Sequence, residues 1–305
     1  MTIIRVLGSA AGGGFPQWNC NCHNCDGVRR GTVRATPRTQ SSIALSGDGP
    51  DAILVNASPD ILQQLRQTPA LQPARAPRDS AIAAVLLMDA QIDHVTGLLM
   101  LREHCHALPL YATAAVLDDL GAAFPLTRML SHYCGVQTHA LPCDGTPFTV
   151  PPLAGMRLTA VPLQSKAPPY SPSRNAPRAG DNIGLRIEDC RSGRRAFYAP
   201  GLGSVDDRVF AELRDADVVL VDGTFWREDE MQALGFSAKA AADMGHLPLS
   251  GPGGMIEILD RLPAARKILI HINNTNPVLV EDSPERAELA RHGIELACDG
   301  MEIAL

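Results

Sequence analysis

Aromatic residues are scarce in this chain, 4% of 305 residues, and the formal net charge is only −6. Acidic and basic residues are interspersed along it. A basic patch with interleaved aromatics is missing, so nucleic-acid binding is not expected. Long apolar runs are also missing. Ala81–Met88 is an uninterrupted apolar stretch, far short of the ~20 residues a bilayer span needs, and no membrane insertion is expected. The opening residues, MTIIRVLGSAAGGG, carry neither a basic leader nor an adequate apolar segment. They read as a strand and a glycine loop, not as a secretory signal. The expected compartment is the cytoplasm. There, clustered cysteines point to metal or redox chemistry before disulfides. No internal repeat and no heptad pattern is present.

What the chain does contain is enough apolar residue for a large core: 45% hydrophobic against 20% charged. Strand-like segments recur, among them IIRVLG, SSIALS, AILVNAS, AIAAVLLM, LPLYA, MRLTAVPL, NIGLRIED, RRAFYAPG, ADVVLVDG, KILIHI and IELACDGMEIAL. Helical patterns lie between several of them: SPDILQQLRQT, HVTGLLMLREH, AAVLDDLGAAF, DDRVFAELRDA, GGMIEILDRLP and SPERAELARHG. The first and last of these open on Ser-Pro, with serine as cap and proline at the first helical position. Runs of strands without an intervening helix argue against a doubly wound parallel sheet. They favour an α/β fold of two face-to-face sheets with helices outside, an αββα sandwich, spanning residues 1–305 as a single domain. One long irregular stretch, residues 163–182, holds Pro168, Pro169, Pro172 and Pro177. A loop of that length is either a surface linker or an active-site lid.

Three cysteines converge in WNCNCHNC: Cys20, Cys22 and Cys25. The C-x-C-x-x-C spacing lets one turn wrap an ion, and soft thiolates favour tetrahedral Zn(II). The fourth vertex is left to His23 or a distant residue. Such a closed site would be structural. The other five cysteines read as core or surface thiols.

A second constellation begins at LLMDAQIDHVTGLLML, residues 86–101. An apolar strand stops, a polar cluster follows, and a helical pattern begins. Asp93 and His94 are neighbours at this junction, where irregular backbone lets both point at one ion. A third ligand must come from elsewhere. His271, at the end of KILIHI, and His246, in MGHLPLSG, are the histidines left after those on or beside helices and loops are set aside. Asp222, in VVLVDGTF, is another polar residue at a strand end. Strand ends on one edge of a sandwich gather side chains from distant sequence.

The order strand–DAQIDH–helix, DGTF, GH, strand–HINNTNP resembles the metallo-β-lactamase superfamily, whose signature loop is H-x-H-x-D-H. More narrowly, GSAAGGGFPQWNCNCHNC, DAQIDHVTGL, PLQSKAPPYSP, GDNIGL, VDGTFW, GHLPLSG and HINNTNP look like the coenzyme PQQ synthesis protein B family. These motifs run from residue 8 to residue 277. The resemblance implies the metallo-β-lactamase sandwich and a part in making pyrroloquinoline quinone (PQQ).

The chain departs from the superfamily's hydrolase pattern. Asp89 and Gln91 stand where the hydrolases have the two histidines of H-x-H, and Leu202 and Gly203 stand at the place of the bridging aspartate. Asp93 and His94 match the D-H pair, and His271 matches the last histidine. Two histidines and one carboxylate suit non-haem Fe(II) and O2. The resemblance thus implies iron-dependent hydroxylation of the tyrosine ring in a PQQ precursor derived from a Glu–Tyr unit. It implies roles for Asp89, as an orienting or proton-shuttling carboxylate, for Gln91 beside the metal, and for His246 with Asp222 as acid or base. Lys166 and Arg174 would meet substrate carboxylates. Ser173 stands where the family often has histidine. Asn274, where relatives in the superfamily carry histidine, or a water, would complete the cysteine site. Other PQQ biosynthesis proteins are expected partners, and a homodimer stays open. Two alternatives remain: a non-catalytic carrier that takes PQQ or its precursor toward the periplasm, and a metal-dependent hydrolase.

Overall fold

The computed structural model describes residues 1–262 and 265–305. Six strands come first: β1 (Ile3–Gly8), β2 (Ser42–Ser46), β3 (Ala52–Val55), β4 (Ile82–Leu86), β5 (Leu108–Thr113) and β6 (Val136–Leu141). A second set follows: β7 (Met156–Pro162), β8 (Ile183–Asp189), β9 (Arg195–Ala199), β10 (Val218–Asp222), β11 (Arg266–Ile270) and β12 (Ile294–Leu296). The last strand, β13 (Glu302–Ala304), returns to the first set. One sheet has the order β13-β1-β2-β3-β4-β5-β6, and the other has β12-β11-β10-β9-β8-β7. Both are mixed. Strands β3 to β6 run parallel, as do β9 to β12, and the rest pair antiparallel.

Alternation of side chains explains the layering. On β3, Ile53 and Val55 face the core between the sheets, while Leu54 faces the outer helices. On β10, Leu220 enters the inter-sheet core, while Val219 and Val221 face outward. Outside the first sheet Ile61, Val95 and Val116 cover it. Outside the second, Val209, Leu213 and Leu259 do so. Strands covered on both faces read as unbroken apolar runs. The αββα sandwich expected from the sequence is the fold observed. No helix among the described residues is long and apolar enough to cross a membrane.

Local differences have physical causes. The pattern HVTGLLMLREH does not make one α-helix. A single α turn, Ile92–Val95, passes into a 3-10 segment, Thr96–Leu101. Gly97 packs directly on the chain after β3, where a Cβ would lie 2.1 Å from Ser58 O. That close approach fixes the loop. The helix of SPDILQQLRQT starts at Ile61 with Asp60 at the cap position, two residues later than Ser-Pro suggests. Ser58 Oγ instead accepts from Asp60 N. Ser283 does cap its helix, Pro284–Arg291, by accepting from Arg286 N. The run IELACDGMEIAL divides: β12 joins the second sheet and β13 the first, with a turn at Gly300, φ 88°. Edge strand β6 has no apolar alternation to betray it, being largely exposed.

Loops leaving β4, β10 and β11 meet at one edge of the sandwich. Two cross-links hold this edge. Ile183 N donates to Met88 O, joining the sheets, and the glycine loop after β1 lies along residue 272, with Ala11 N donating to Ile272 O and Ile272 N to Ser9 O.

Candidate metal centre

Asp89 shapes the first loop. Its Oδ1 accepts from Gln91 N at 2.8 Å, a local turn that ends the extended chain after β4. The α turn that follows carries Asp93 and His94 toward the sandwich edge. His94 is buried, and its Nδ1 lies 2.8 Å from each oxygen of Asp89. With Nδ1 donating to that carboxylate, Nε2 is the free ring nitrogen. It is buried, without a hydrogen-bond partner, and 3.8 Å from Asp93 Oδ2.

His271 arrives from the other sheet. It follows β11 with φ 61°, in the left-handed region that a non-glycine residue enters rarely and at a cost. This turns its ring toward the first loop. Its Nε2 lies 3.3 Å from Asp93 Oδ2, and its ring centroid is 5.3 Å from that of His94 with planes at 72°. Ligand atoms of Asp93, His94 and His271 all lie within 4.8 Å of one another. Bonds of ~2.0–2.2 Å to one ion place neighbouring N and O ligands roughly 3–3.5 Å apart. The three residues and the partnerless Nε2 of His94 therefore fit an ion. On the opposite side Gly12 comes close enough that a Cβ would lie 3.2 Å from Asp93 Oδ2.

Charge follows the geometry. Burial works against ionised Asp93, but His94 and His271 outweigh it and hold the carboxyl well below the usual carboxylate range. Burial disfavours protonated His94, yet Asp89 and Asp93 outweigh it and raise the imidazole to about 9.

A second cluster lies behind the first. Asp222, fully buried at the end of β10, accepts from Leu202 N at 2.8 Å and Thr224 N at 2.9 Å, and its Oδ2 is 2.6 Å from His246 Nδ1. Burial opposes its ionisation, but the neighbouring His246 and His271 keep its carboxyl below the ordinary value. His246 is raised: burial lowers it, and Asp222 wins. Asp222, His246 and His271 also have ligand atoms mutually within 4.8 Å. Their centre is taken by the hydroxyl of Thr224, 2.6 Å from Asp222 Oδ1, 2.9 Å from His271 Nδ1 and 3.1 Å from His246 Nδ1. That set is a hydrogen-bonded relay around the hydroxyl oxygen.

The cluster of Asp93, His94 and His271 opens into a cavity of about 270 Å3. Asp89, Gln91, Asp93, His94, His246, His271 and Arg174 all line it. Asp222 does not; it acts from behind His246. Lys166 is turned away: its Nζ donates to Asp243 O at 2.8 Å, outside the cavity, because the carbonyls at the end of the short helix Ala241–Met244 lie within its reach. The cation present instead is Lys239, on the cavity rim. Neither Lys239 nor Thr224 was singled out from the sequence; the Thr224 signal lay within DGTF. Gln91 Nε2 reaches Lys166 O at 3.4 Å. The proline-rich stretch is a pinned wall of the cavity: Tyr170 donates to Ala90 O, and Ser171 Oγ donates to Asp119 Oδ1.

Cys20, Cys22 and Cys25 do converge, with sulfurs within 4.8 Å of one another. Asn274 faces all three at 3.1, 3.6 and 3.4 Å through its side-chain amide. The side chain facing the three sulfurs is therefore this amide and not the exposed His23; amide N and O are interchangeable by a flip. Burial and the neighbouring Cys22 push the Cys25 thiol up to about 12 against hydrogen bonds from Gln17 and Asn274. Asn24 Nδ2 donates to both Asn274 O and Asn276 O at 3.0 Å, tying the cysteine turn to the loop that begins at His271.

Comparisons with known proteins agree with this architecture. Residues 51–272 match the beta-lactamase superfamily domain. Coenzyme PQQ synthesis protein B from Cupriavidus necator is 88% identical over 305 residues, covering 100% of both chains. The protein of the same name from Azoarcus sp. is 62% identical, covering 99% of each. The crystal structure of Zn2+-bound PqqB from Methylobacterium extorquens superposes with a TM-score of 0.88 at 39% identity over 100% of both chains. A diphosphatase of the PhnP family shares the fold, with TM-score 0.69 at 19% identity, over 100% of this chain and 98% of that one.

Proposed function

Since the chain belongs to the coenzyme PQQ synthesis protein B family within the β-lactamase superfamily, we propose that it acts in PQQ biosynthesis as an iron(II)- and O2-dependent hydroxylase of the tyrosine ring in a Glu–Tyr-derived precursor. Asp93, His94 and His271 would hold the iron. Bound Fe(II) would supply the dioxygen and one-electron chemistry that side chains lack.

The observation that carries this reading is the compact set of two imidazoles and one carboxylate, Asp93, His94 and His271, with all three residues lining the cavity. Hydrolysis in this superfamily relies on two metals that clamp the attacking and leaving oxygens. Here the residues that would hold the other metal are otherwise engaged or apolar. Asp89 is bound to His94 through both oxygens, Gln91 leans on a backbone carbonyl, and Leu202 is a buried hydrocarbon.

The remaining residues position and protonate. Asp89 orients His94. The Asp222–His246 pair presents an imidazole at the cavity wall that can take or return a proton. Arg174, half-buried with Nη1 on Ala167 O, and Lys239 on the rim offer cations to substrate carboxylates. The cysteine turn would hold structural Zn(II) with Asn274 beside it.

The test is anaerobic reconstitution with Fe(II), followed by oxygen uptake with a Glu–Tyr-derived substrate. Uptake that is lost in His94→Ala and in His271→Ala is expected. Cleavage of an ester or phosphodiester with Zn2+ would put a hydrolase in its place. Tight PQQ binding without turnover would put a carrier there.

A further inference from the structure

We infer that Thr224 is the residue that commits His271 to binding metal through Nε2, an inference that rests on reading Asp93, His94 and His271 as the metal site. A threonine hydroxyl has one proton to give and two lone pairs. Thr224 Oγ1 has four neighbours: Asp222 Oδ1 at 2.6 Å, His271 Nδ1 at 2.9 Å, His271 O at 2.9 Å and His246 Nδ1 at 3.1 Å. Two of these are oxygens that only accept. The single hydroxyl proton goes to one of them, and the short contact to ionised Asp222 is the stronger.

Nothing is then left for the hydroxyl to donate to an imidazole. His246 directs its Nδ1 proton at Asp222 Oδ2, 2.6 Å away. The Nδ1 of His271 faces Thr224, so that nitrogen carries the proton and the hydroxyl accepts it. Its Nε2, 3.3 Å from Asp93 Oδ2 and on the side of His94, is then the nitrogen that turns to the metal: any proton it shares with that carboxylate in the metal-free protein is the one an ion replaces.

The two metal-facing imidazoles thus reach the same tautomer by different devices. A carboxylate holds His94 directly. A neutral hydroxyl, itself anchored on a carboxylate, holds His271. Thr224 is a positioning residue: it lies in the cavity wall, and its hydroxyl acts on the rings of His271 and His246 and on Asp222 rather than on the ion. The backbone at His271 is secured independently, by Ile272 N on Ser9 O and Ala11 N on Ile272 O. Loss of the hydroxyl would therefore free the ring before it disturbed the chain.

The experiment titrates Mn(II) into the full protein and follows it by electron paramagnetic resonance. A hard ion selects the nitrogen and oxygen site over the thiolates. Thr224→Val, which keeps the shape and removes the oxygen, is expected to weaken Mn(II) roughly 10–100-fold, the usual effect of losing a partner that orients a ligating histidine. Thr224→Ser is expected to stay near the wild-type affinity. Asp222 keeps Leu202 N, Thr224 N and His246 in either variant, so both should fold; should Thr224→Val not fold, Thr224→Ala carries the same expectation. Imidazole 15N shifts of metal-free protein give the second readout, with Nδ1 of His271 protonated in wild type and Thr224→Ser and partly deprotonated in Thr224→Val. Wild-type affinity together with an unchanged tautomer in Thr224→Val overturns the inference. A wild-type protein that binds no Mn(II) overturns the metal site itself, and this inference with it.

Discussion

Asp89 holds the imidazole of His94 with both of its carboxylate oxygens, each 2.8 Å from Nδ1, although by resemblance it occupies a position where hydrolases carry a metal-binding histidine. Here that residue supports the neighbouring imidazole instead. Asp89→Ala should weaken Mn(II) or Fe(II) binding about 10–100-fold, as loss of an orienting carboxylate does elsewhere. Asp89→Asn, which keeps one acceptor oxygen, should lose less. Competition with a chelator measures both. Equal affinity in wild type and Asp89→Ala would remove Asp89 from the site.

The cysteine turn predicts a separate metal. Cys22→Ser should lower zinc content by about one ion per chain and lower the thermal midpoint, because metal held only by the folded state stabilises it. Asn24 and Asn274 connect this turn to the loop starting at His271, so Mn(II) affinity at the other site should fall as well. Elemental analysis decides the first point, and unchanged zinc would rule the assignment out.

Arg174 and Lys166 should separate. Arg174 lines the cavity, whereas the Lys166 amine is spent on Asp243 O. Arg174→Ala should raise KM for a carboxylate-bearing substrate about 10-fold or more, the scale of a hydrogen bond to a charged group, with little change in kcat. Lys166→Ala should leave KM within about twofold, as expected for a surface ion pair. Steady-state kinetics on both variants give the answer, and the reverse order would mean that the loop rearranges around substrate.

Asp189 sets an acid limit far from the site. Burial alone would raise this carboxyl, but Ser192 N, Thr2 N and Arg191 N donate to it and bring it from 3.8 to about 2. A lowered folded-state value means stability that is present above the unfolded value and is lost as the carboxylate protonates. Wild type should therefore lose this contribution between about pH 4 and pH 2. Asp189→Asn should be less stable at pH 7 and show a flatter decline across that window. Urea unfolding at several pH values compares the slopes, and parallel slopes would refute the assignment.

Much of the fold was legible because both sheets have interior strands. Such strands must be apolar throughout, and AILV, VVLVD and KILI read so. Edge and crossing elements were not. The exposed β6 has no apolar signature, and nothing local in IELACDGMEIAL says that the chain changes sheets at Gly300. The break at Gly97 depends on contact with Ser58, a residue remote in sequence.

By itself the sequence determined the ingredients of the site. Adjacency put Asp93 and His94 on one turn, and close spacing brought Cys20, Cys22 and Cys25 together. Strand ends nominated Asp222 and His271. Tertiary structure decided which atom of each faces which. It gave Asp89 to His94, put Thr224 at the centre of the Asp222 cluster, removed Lys166 from the cavity and brought in Lys239. Short spacing limits where neighbouring residues can go, because the backbone is stiff over a few residues. Which ring nitrogen keeps its proton is settled by hydrogen-bond partners up to 47 positions away, and no local pattern encodes that choice.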